Sequence, residues 1–383
     1  REVSHLPHFF GDKNRGGTMK DLKEIVEPLI RWFRENKRDL PWRQTKDPYA
    51  VWVSEIMLQQ TRVEAVKPYY IRFLQTLPTV KDLANADEEV ILKLWEGLGY
   101  YSRVRNMQKA AIQIMEDFGG VFPANQKDLL SLKGIGPYTA GAVGSIAFGL
   151  PIPAVDGNVL RVMSRITADA SDISLQITKK EWESRLAEIM PQECAGDLNQ
   201  ALMELGAMVC LPNGAPKCSV CPVRASCMAY CKNQTAVYPV KAEKKPRTLE
   251  YLNVFFCVDG EKIAIGKRPK NGLLSGLWEL PNGQRDIAPP ITLQKMGILE
   301  AELLPMKGQK HIFTHVEWHM DCYFVRVTKK TESDLLWLTR EEAEAQYALP
   351  SAFKKIWAEG LKQMKKVGIF VTVYKKNIKF TVK

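Results

Sequence analysis

Two carboxylates in this chain of 383 residues have surroundings that suit acid–base chemistry. Glu55 follows a predicted helix start, and its helical neighbours Val51, Trp52 and Leu58 are apolar, so desolvation would raise its pKa. Asp156 lies in the uncharged stretch "PIPAVDGNV". Two carboxyl groups in different environments can serve as a general acid and as a charge that stabilises a cation. Two simpler interpretations stay open: an exposed helical glutamate, and an aspartate that caps a helix.

A glycine turn precedes another predicted helix in "SLKGIGPYTAGAV". Gly134 and Gly136 lie just before Pro137, a residue type that often opens a helix. The free N–H groups and the dipole at a helix N-terminus favour an anion there. A nucleotide P-loop is excluded, because the G-x-x-x-x-G-K-[ST] pattern is missing and no strand precedes the turn. The sequence therefore predicts an anion site with Tyr138 beside it.

Half of the eight cysteines are clustered near the end of the helical half, with spacings x7, x2 and x5: Cys210, Cys218, Cys221 and Cys227. Structural zinc sites usually pair two separated C-x2-4-C units, and only one such unit is present here. A four-thiolate iron–sulfur cluster accepts mixed spacing. The spacing favours the cluster and leaves zinc as the alternative. Cys231 is interpreted as a spare thiol, and the remaining three cysteines as ordinary buried residues.

The charge of the chain is unevenly distributed. Residues 1–231 carry 28 Lys and Arg against 27 Asp and Glu, whereas residues 232–383 carry 26 against 16. No acidic residue follows Glu359, and the lysines of the terminal stretch form either a solvated tail or a nonspecific phosphate contact. No secretory signal pattern is visible. The 22-residue uncharged run 134–155 contains five glycines and three prolines, which argues against a lipid-facing helix.

The spacing of apolar residues changes along the chain from a helical pattern to a strand-like pattern. Apolar positions recur at helical spacing throughout residues 19–231, whereas "YLNVFFCVDG", "EKIAIGKRP" and "HIFTHVEWHMDCYFVRV" are rich in β-forming residues. We predict a multidomain protein with an all-α domain followed by an α+β domain. The predicted segments are a disordered extension at 1–18, a helical domain at 19–231 with a cluster loop at 210–227, a linker at 232–250, a second domain at 251–364 and a basic tail at 365–383.

Several motifs in this order resemble a known family. "KGIGPYTAGAV", "PAVDGNVLRV" and the four-cysteine loop resemble the helix-hairpin-helix DNA glycosylases of the endonuclease III superfamily. "LPWR", "WVSEIMLQQTRV" and "EGLGYYSRVRN" are similar to the MutY-type adenine DNA glycosylases, which remove adenine mispaired with 8-oxoguanine. The first cysteine gap of this chain is one residue longer than the usual gap of that family.

The resemblance implies a [4Fe–4S] cluster on the four cysteines and double-stranded DNA with A:8-oxoguanine or A:G mispairs as the partner. It implies Glu55 as the acid and Asp156 as the charge that stabilises the cation, with Tyr138 and Asn158 positioning them. Tyr138 stands where lyase relatives carry a nucleophilic lysine. The helix N-terminus is expected to keep Asp156 ionised.

Residues that would contact DNA are implied in the same way. The residues similar to those lining the adenine pocket are Trp42, Arg43, Leu58, Val63 and Gln200. Gln60 and Tyr100 would act as wedges while the base is flipped out, and Gly134 and Gly136 would hold a backbone phosphate. The second domain resembles the Nudix fold but lacks the metal-binding box of Nudix hydrolases. Its loop "HIFTHVEW" would read 8-oxoguanine through Phe313, Thr314 and His315.

The predicted function is hydrolysis of the N-glycosidic bond of adenine opposite 8-oxoguanine or G. Two alternatives remain: a bifunctional glycosylase/lyase of the same superfamily, and a noncatalytic mismatch-binding protein. A lyase needs a lysine amine, whereas a binding protein would release no base. We expect a monomer in the cytoplasm, associated with DNA and not with membranes.

Overall fold

The computed structural model describes residues 22–243 and 246–377, with side chains described up to residue 366. The predicted extension at 1–18 therefore lies outside the described residues, as does the end of the basic tail. The described chain forms two compact units. The first unit contains the chain up to Asn85 together with Asn106–Glu243, and the second unit contains Ala86–Arg105 together with the chain after Glu243.

Helices account for the regular structure before the sheet. In chain order they are α1 (Val26–Asn36), α2 (Pro48–Leu58), α3 (Val63–Thr76), α4 (Val80–Asn85), α5 (Glu88–Leu94), α6 (Ser102–Asp117), α7 (Gln126–Ser131), α8 (Pro137–Phe148), α9 (Gly157–Thr167), α10 (Gln176–Ala187), α11 (Ala195–Met208) and α12 (Met228–Cys231), with short 3-10 turns at Pro41–Arg43 and Cys218–Val220. The helical character of this half is confirmed.

The starts of the site-bearing helices follow from local sequence. Asp47 caps α2 by accepting hydrogen bonds from the backbone N–H groups of Tyr49 and Ala50, and Pro48 is the first helical residue. Pro137 opens α8, and Gly149 closes it in the left-handed conformation. Asp156 caps α9. Each of these helices therefore begins at a fixed residue.

A core of apolar side chains fixes α1, α9, α10 and α11 in the first unit. Trp182 of α10 and Phe33 of α1 are fully buried among leucines and valines of the other two helices. Pairs of helices that pack together include α2 with α8, α9 with α11, and α8 with α11. These pairs bring together the helices that carry Glu55, Tyr138 and Asp156.

A seven-stranded mixed sheet forms the centre of the second unit. Its strands are β1 (Thr248–Asp259), β2 (Lys262–Lys267), β3 (Trp278–Glu279), β4 (Asn282–Gln284), β5 (Ile298–Ile312), β6 (Val316–Lys330) and β7 (Leu336–Leu338). The order is β3-β2-β1-β6-β5, with β4 paired to β1 and β7 paired to β2. The strands β1 and β6 are parallel, from Thr248 beside Val316 to Val258 beside Arg326.

Among the described residues after Glu243, the helices beside this sheet are α13 (Pro289–Lys295), α14 (Arg340–Gln346) and α15 (Ser351–Asn377). Phe256 and Phe324 stack on the sheet face that α15 covers, and Phe255 and Tyr323 stack on the other face. The predicted α+β class is therefore confirmed. Helix α15 continues through residues 365–377, which the sequence assigned to the basic tail.

Candidate functional site

The acid proposed from sequence lies in a buried hydrogen-bonded pair in the first unit. Glu55 of α2 is 6% exposed, and Tyr138 of α8 donates a hydrogen bond from its hydroxyl to Glu55 Oε2 at 2.5 Å. The two residues are 83 positions apart in sequence and meet because α2 packs against α8. The exposed-glutamate interpretation of Glu55 is therefore wrong.

Burial is the main cause that raises the pKa of Glu55 to about 7. The hydrogen bond from Tyr138 opposes this rise, while the negative charge of Asp156 adds to it and Arg43 again opposes it. A carboxyl group with this pKa is protonated in part at neutral pH, whereas an ordinary glutamate is almost fully ionised. Glu55 can therefore hold a proton ready for transfer.

Asp156 has the helix-capping role that the sequence left open. Its Oδ1 accepts from the backbone N–H groups of Asn158 at 2.9 Å and Val159 at 2.8 Å, and its Oδ2 accepts from Asn158 Nδ2 at 2.7 Å. Burial raises the pKa of Asp156, although these hydrogen bonds oppose the rise. All three donors stabilise the charged form. The carboxylate is thus oriented through both of its oxygens.

Arg161 fixes Asn158 from the opposite side. Its Nη2 donates to Asn158 Oδ1 at 2.9 Å and to the Gly206 carbonyl at 2.8 Å, and its Nε donates to the Cys210 carbonyl at 2.9 Å. Gly206 allows this approach, since a Cβ there would lie 2.6 Å from Asn158 Cβ. No pattern in the sequence singles out Arg161, because arginines are common on exposed helix faces.

A second close approach, between α8 and the backbone before Asp156, positions the segment that leads to Asp156. Gly141 of α8 faces the backbone of Pro153, and a Cβ on Gly141 would lie 2.2 Å from the Pro153 carbonyl oxygen. Real Cβ atoms do not approach other heavy atoms so closely, so only glycine fits at this point. The distance between α8 and the segment before α9 is therefore set by a residue without a side chain.

Arg43, a predicted pocket residue, contacts a second one, Gln200. It also contacts Glu204, an acid that was not selected from the sequence. Its Nε donates to Gln200 Oε1 at 3.3 Å, and its Nη1 and Nη2 donate to Glu204 at 3.0 and 2.8 Å. Arg38 also pairs with Glu204. Burial raises the pKa of Glu204, but the hydrogen bonds from Arg38 and Arg43 outweigh it and lower the pKa to about 2. The Glu204 carboxylate therefore stays charged beside Arg38 and Arg43.

The pattern that identified Glu55 also applies to Glu204. Both are acidic residues on a helix with apolar neighbours three or four positions away, which for Glu204 are Ala201, Ala207 and Met208. Of the other predicted pocket residues, Trp42 is buried against Tyr70, and Leu58 and Val63 are half-buried at the end of α2 and the start of α3. These three residues lie on the 3-10 turn before α2, on α2 itself and on α3, which are close to Glu55 in sequence.

The turn before α8 has the geometry expected for close backbone contact with a ligand. Gly134 has φ +79°, and a Cβ there would lie 2.7 Å from Asn106 Cβ. Gly136 is the N-cap residue and has no side chain to satisfy the first N–H groups of α8. The predicted helix start is confirmed, and backbone donors are available at it.

The two predicted wedge residues have backbone conformations that are rare for non-glycine residues. Gln60 has φ +57° and is exposed, and Tyr100 has φ +48° and is 46% exposed. Arg103 stabilises the turn before Tyr100, because its Nη2 donates to the carbonyls of Leu98 and Gly99 and its guanidinium lies over the Tyr100 ring. Arg103 therefore holds the exposed ring of Tyr100 in position through contacts within the same turn.

The loop between β5 and β6 contains the residues predicted to read 8-oxoguanine. Thr314 and His315 are exposed, and the Phe313 ring packs edge-to-face on Trp318 at 4.9 Å. The hydroxyl groups of Thr314 and Tyr100 are 2.6 Å apart. Both residues belong to the second unit. The fold therefore brings one predicted wedge to the predicted reading loop, a contact that the sequence did not indicate.

The four clustered cysteines line one small cavity in the first unit, together with Arg165. Arg165 Nη1 donates to Cys210 Sγ at 3.3 Å. The longer first gap forms an exposed turn in which Gly214 has φ +75°, and Cys210 still faces the shared cavity. Among the described residues, no group of three or more His, Cys, Asp or Glu is placed to hold a metal ion. The four sulfur atoms on this lining are the ligand type of a four-thiolate cluster.

Among the helices in the described part of the chain, none is long and apolar enough to cross a membrane. The uncharged run 134–155 forms α8 and the segment before α9.

Comparison with known proteins covers both units. Residues 53–192 match the family described as HhH-GPD superfamily base excision DNA repair protein, and residues 253–359 match the NUDIX domain family. The chain is 34% identical to an adenine DNA glycosylase of Arabidopsis thaliana, covering 95% of this chain and 69% of the relative. It is also 34% identical to an adenine DNA glycosylase of Mus musculus, covering 91% and 79%.

Among solved structures, a thermostable thymine-DNA glycosylase is 31% identical with a TM-score of 0.51, covering 56% of this chain and 98% of that chain. That match supports the fold of the helical half. The two curated relatives extend the similarity over nearly the whole chain. On this similarity, and on the two domain families in this order, the chain belongs to the adenine DNA glycosylases, a family of base excision DNA repair enzymes.

Proposed function

We propose that this chain hydrolyses the N-glycosidic bond of adenine paired with 8-oxoguanine, or with G, in double-stranded DNA. The observation that carries the proposal is the buried Glu55–Tyr138 pair, in which Glu55 has a pKa of about 7. Asp156 is close enough for its charge to affect that pKa. A protonated acid and an oriented carboxylate are the two groups that glycosidic hydrolysis needs.

The adenine must leave the base stack before it can reach buried carboxyl groups. We propose that Gln60 and Tyr100, both exposed on turns with positive φ, fill the space that the flipped base leaves. Backbone N–H groups at Gly134 and Gly136 would hold a phosphate. The flipped base would enter the pocket of Arg43, whose guanidinium is already oriented by Gln200 and Glu204.

The proposed reaction begins with the proton on Glu55. Its transfer to a ring nitrogen lets adenine leave with the electron pair of the glycosidic bond, and the sugar becomes an oxocarbenium-like cation. Asp156 stabilises that cation by its charge or as a transient adduct. Water then adds to the sugar carbon and gives up a proton to a carboxylate. Asn158 and Tyr138 position the two acids through the hydrogen bonds described above.

A lyase mechanism is disfavoured by the residue at position 138. A Schiff base needs an amine, and Tyr138 offers a phenol that already donates to Glu55. Borohydride would therefore trap no covalent complex at a rate that matches base release.

For 8-oxoguanine recognition we propose Phe313, Thr314 and His315. The test is base release under single-turnover conditions from duplexes that differ only in G or 8-oxoguanine opposite adenine. We expect the wild type to favour 8-oxoguanine, and Thr314→Val to reduce that preference by about tenfold, because it loses one hydrogen-bonding hydroxyl.

Thr314→Ser is the matched control, since it keeps the hydroxyl and should keep the preference. An unchanged preference in Thr314→Val would contradict the role of Thr314. Adenine release that ignores the opposite base in the wild type would contradict the proposed substrate.

We propose that Cys210, Cys218, Cys221 and Cys227 hold a [4Fe–4S] cluster, whose contribution would be to fix the loop that contains them. The purified protein is expected to contain about four iron atoms per chain. Cys221→Ser should lower the iron content, whereas Cys231→Ser, which changes an exposed thiol outside the cavity, should not. Zinc in place of iron, or full iron content in Cys221→Ser, would contradict this assignment.

The proposal includes a monomer that acts on DNA in the cytoplasm. It keeps the domain boundaries predicted from the sequence, except that β1 begins at Thr248 and α15 continues past residue 364. The lysine-rich end would add nonspecific phosphate contacts, and binding would then weaken as salt concentration rises.

A further inference from the structure

A cavity of about 290 Å³ lies within the second unit. Its lining comes from the end of α5, from β2 and β3, from α14 and the segment after it, and from the start of α15. The volume is about ten times that of one water molecule and approaches the lower limit of about 300 Å³ for small-molecule sites. None of the residues proposed above for base excision or 8-oxoguanine recognition lines it.

Three aromatic side chains contribute to the lining: Trp278, Tyr347 and Trp357. Tyr347 packs edge-to-face on Trp278 at 4.8 Å. Trp278 Nε1 donates to Glu89 at 3.0 Å, and Trp357 Nε1 donates to Glu344 at 3.1 Å. The aromatic groups are therefore fixed before any ligand arrives, which reduces the entropy cost of binding.

The positive and negative charges of the lining residues cancel. Lys93 and Lys354 both pair with Glu96, at 2.7 and 3.4 Å, and Glu344 accepts from Trp357 and Arg340. Two ammonium groups and two carboxylates give the lining no net charge. A strongly cationic or anionic ligand would therefore gain little from it, while carboxylates and ammonium groups can still hydrogen-bond to a neutral ligand.

We propose that this cavity binds a neutral, flat heteroaromatic molecule of nucleoside size. Aromatic walls favour a ligand with a π face. Polar groups of both kinds favour one whose edge presents both donors and acceptors, as a nucleobase does. The site is separate from the proposed adenine pocket, and its binding does not depend on base excision.

Isothermal titration calorimetry of the full chain with adenosine tests the proposal. We expect a dissociation constant on the order of 0.1 mM. Ala343 is buried in the lining, so Ala343→Leu should fill part of the cavity and weaken binding at least about tenfold. Ala345→Leu is the matched control on α14, because Ala345 is exposed and does not line the cavity.

Adenosine could also enter the proposed adenine pocket, and the pair of variants separates the two sites. Equal binding by both variants would assign adenosine elsewhere and overturn the proposal. Absence of adenosine binding to the wild type would overturn it as well. Tetramethylammonium is the cationic comparison. If it binds more tightly than adenosine, the cavity is a cation site and the proposal of a neutral ligand is wrong. Thermal unfolding of Ala343→Leu shows that the variant is folded, and Tyr347→Ala, which removes one wall, should independently weaken binding.

Discussion

Glu55→Gln is expected to slow single-turnover adenine release by about 10²- to 10⁴-fold, which is the usual contribution of general acid catalysis. Glutamine keeps the size of the side chain and can accept the hydrogen bond from Tyr138, so the pocket is preserved while the transferable proton is lost. The measurement is the rate constant of base release with enzyme in excess over an A:8-oxoguanine duplex.

Glu116→Gln provides the control, because Glu116 is exposed on α6 and should not affect the rate. The pH profile gives a second check. Glu55 must be protonated to act as the acid, so the wild-type rate constant should fall above about pH 7, following the raised pKa of Glu55. It should also fall in acid, where Asp156, whose pKa burial raises, loses the charge that stabilises the cation. Release by Glu55→Gln at a rate near that of the wild type would refute the assignment.

Asp156→Asn is expected to reduce the same rate constant by about 10²- to 10³-fold, which is typical when one preorganised electrostatic contact to a transition state is removed. Asparagine caps helices about as well as aspartate, so the start of α9 should survive the change. The loss would therefore reflect the missing negative charge near the sugar.

Asp47→Asn is the matched control for Asp156→Asn. Asp47 caps α2 through the same kind of contacts, to Tyr49 N and Ala50 N, and no catalytic role is proposed for it. Both variants should unfold within about 1 kcal/mol of the wild type. Equal rates for the two variants would show that the charge of Asp156 is not used in catalysis.

Local chemistry explains which parts of this structure the sequence predicts. The starts of α2 and α8 follow from residues that adjoin them, Asp47 with Pro48 and Gly136 with Pro137. The surroundings of Glu55 were also visible, because residues three and four positions away on a helix share its face. Such features require no knowledge of the tertiary fold.

Contacts between distant segments could not be predicted in this way. Glu204 meets Arg38 across 166 positions, and Tyr100 meets Thr314 across 214 positions. Strand β5 was missed because most of its residues are exposed or half-buried and it contains Pro305 and Gly308, which weaken a strand pattern. The parallel pairing of β1 with β6 likewise depends on the whole sheet.

Gly141 shows that intolerance to substitution and chemical participation are different properties. Since the Pro153 carbonyl oxygen occupies the space of any Cβ, every other residue would force apart the helix that carries Tyr138 and the segment that leads to Asp156. In a mutational scan scored only by repair activity, position 141 would be indistinguishable from Glu55. A parallel measurement of protein abundance would separate the two, because Glu55→Gln should accumulate normally whereas substitutions at Gly141 should not.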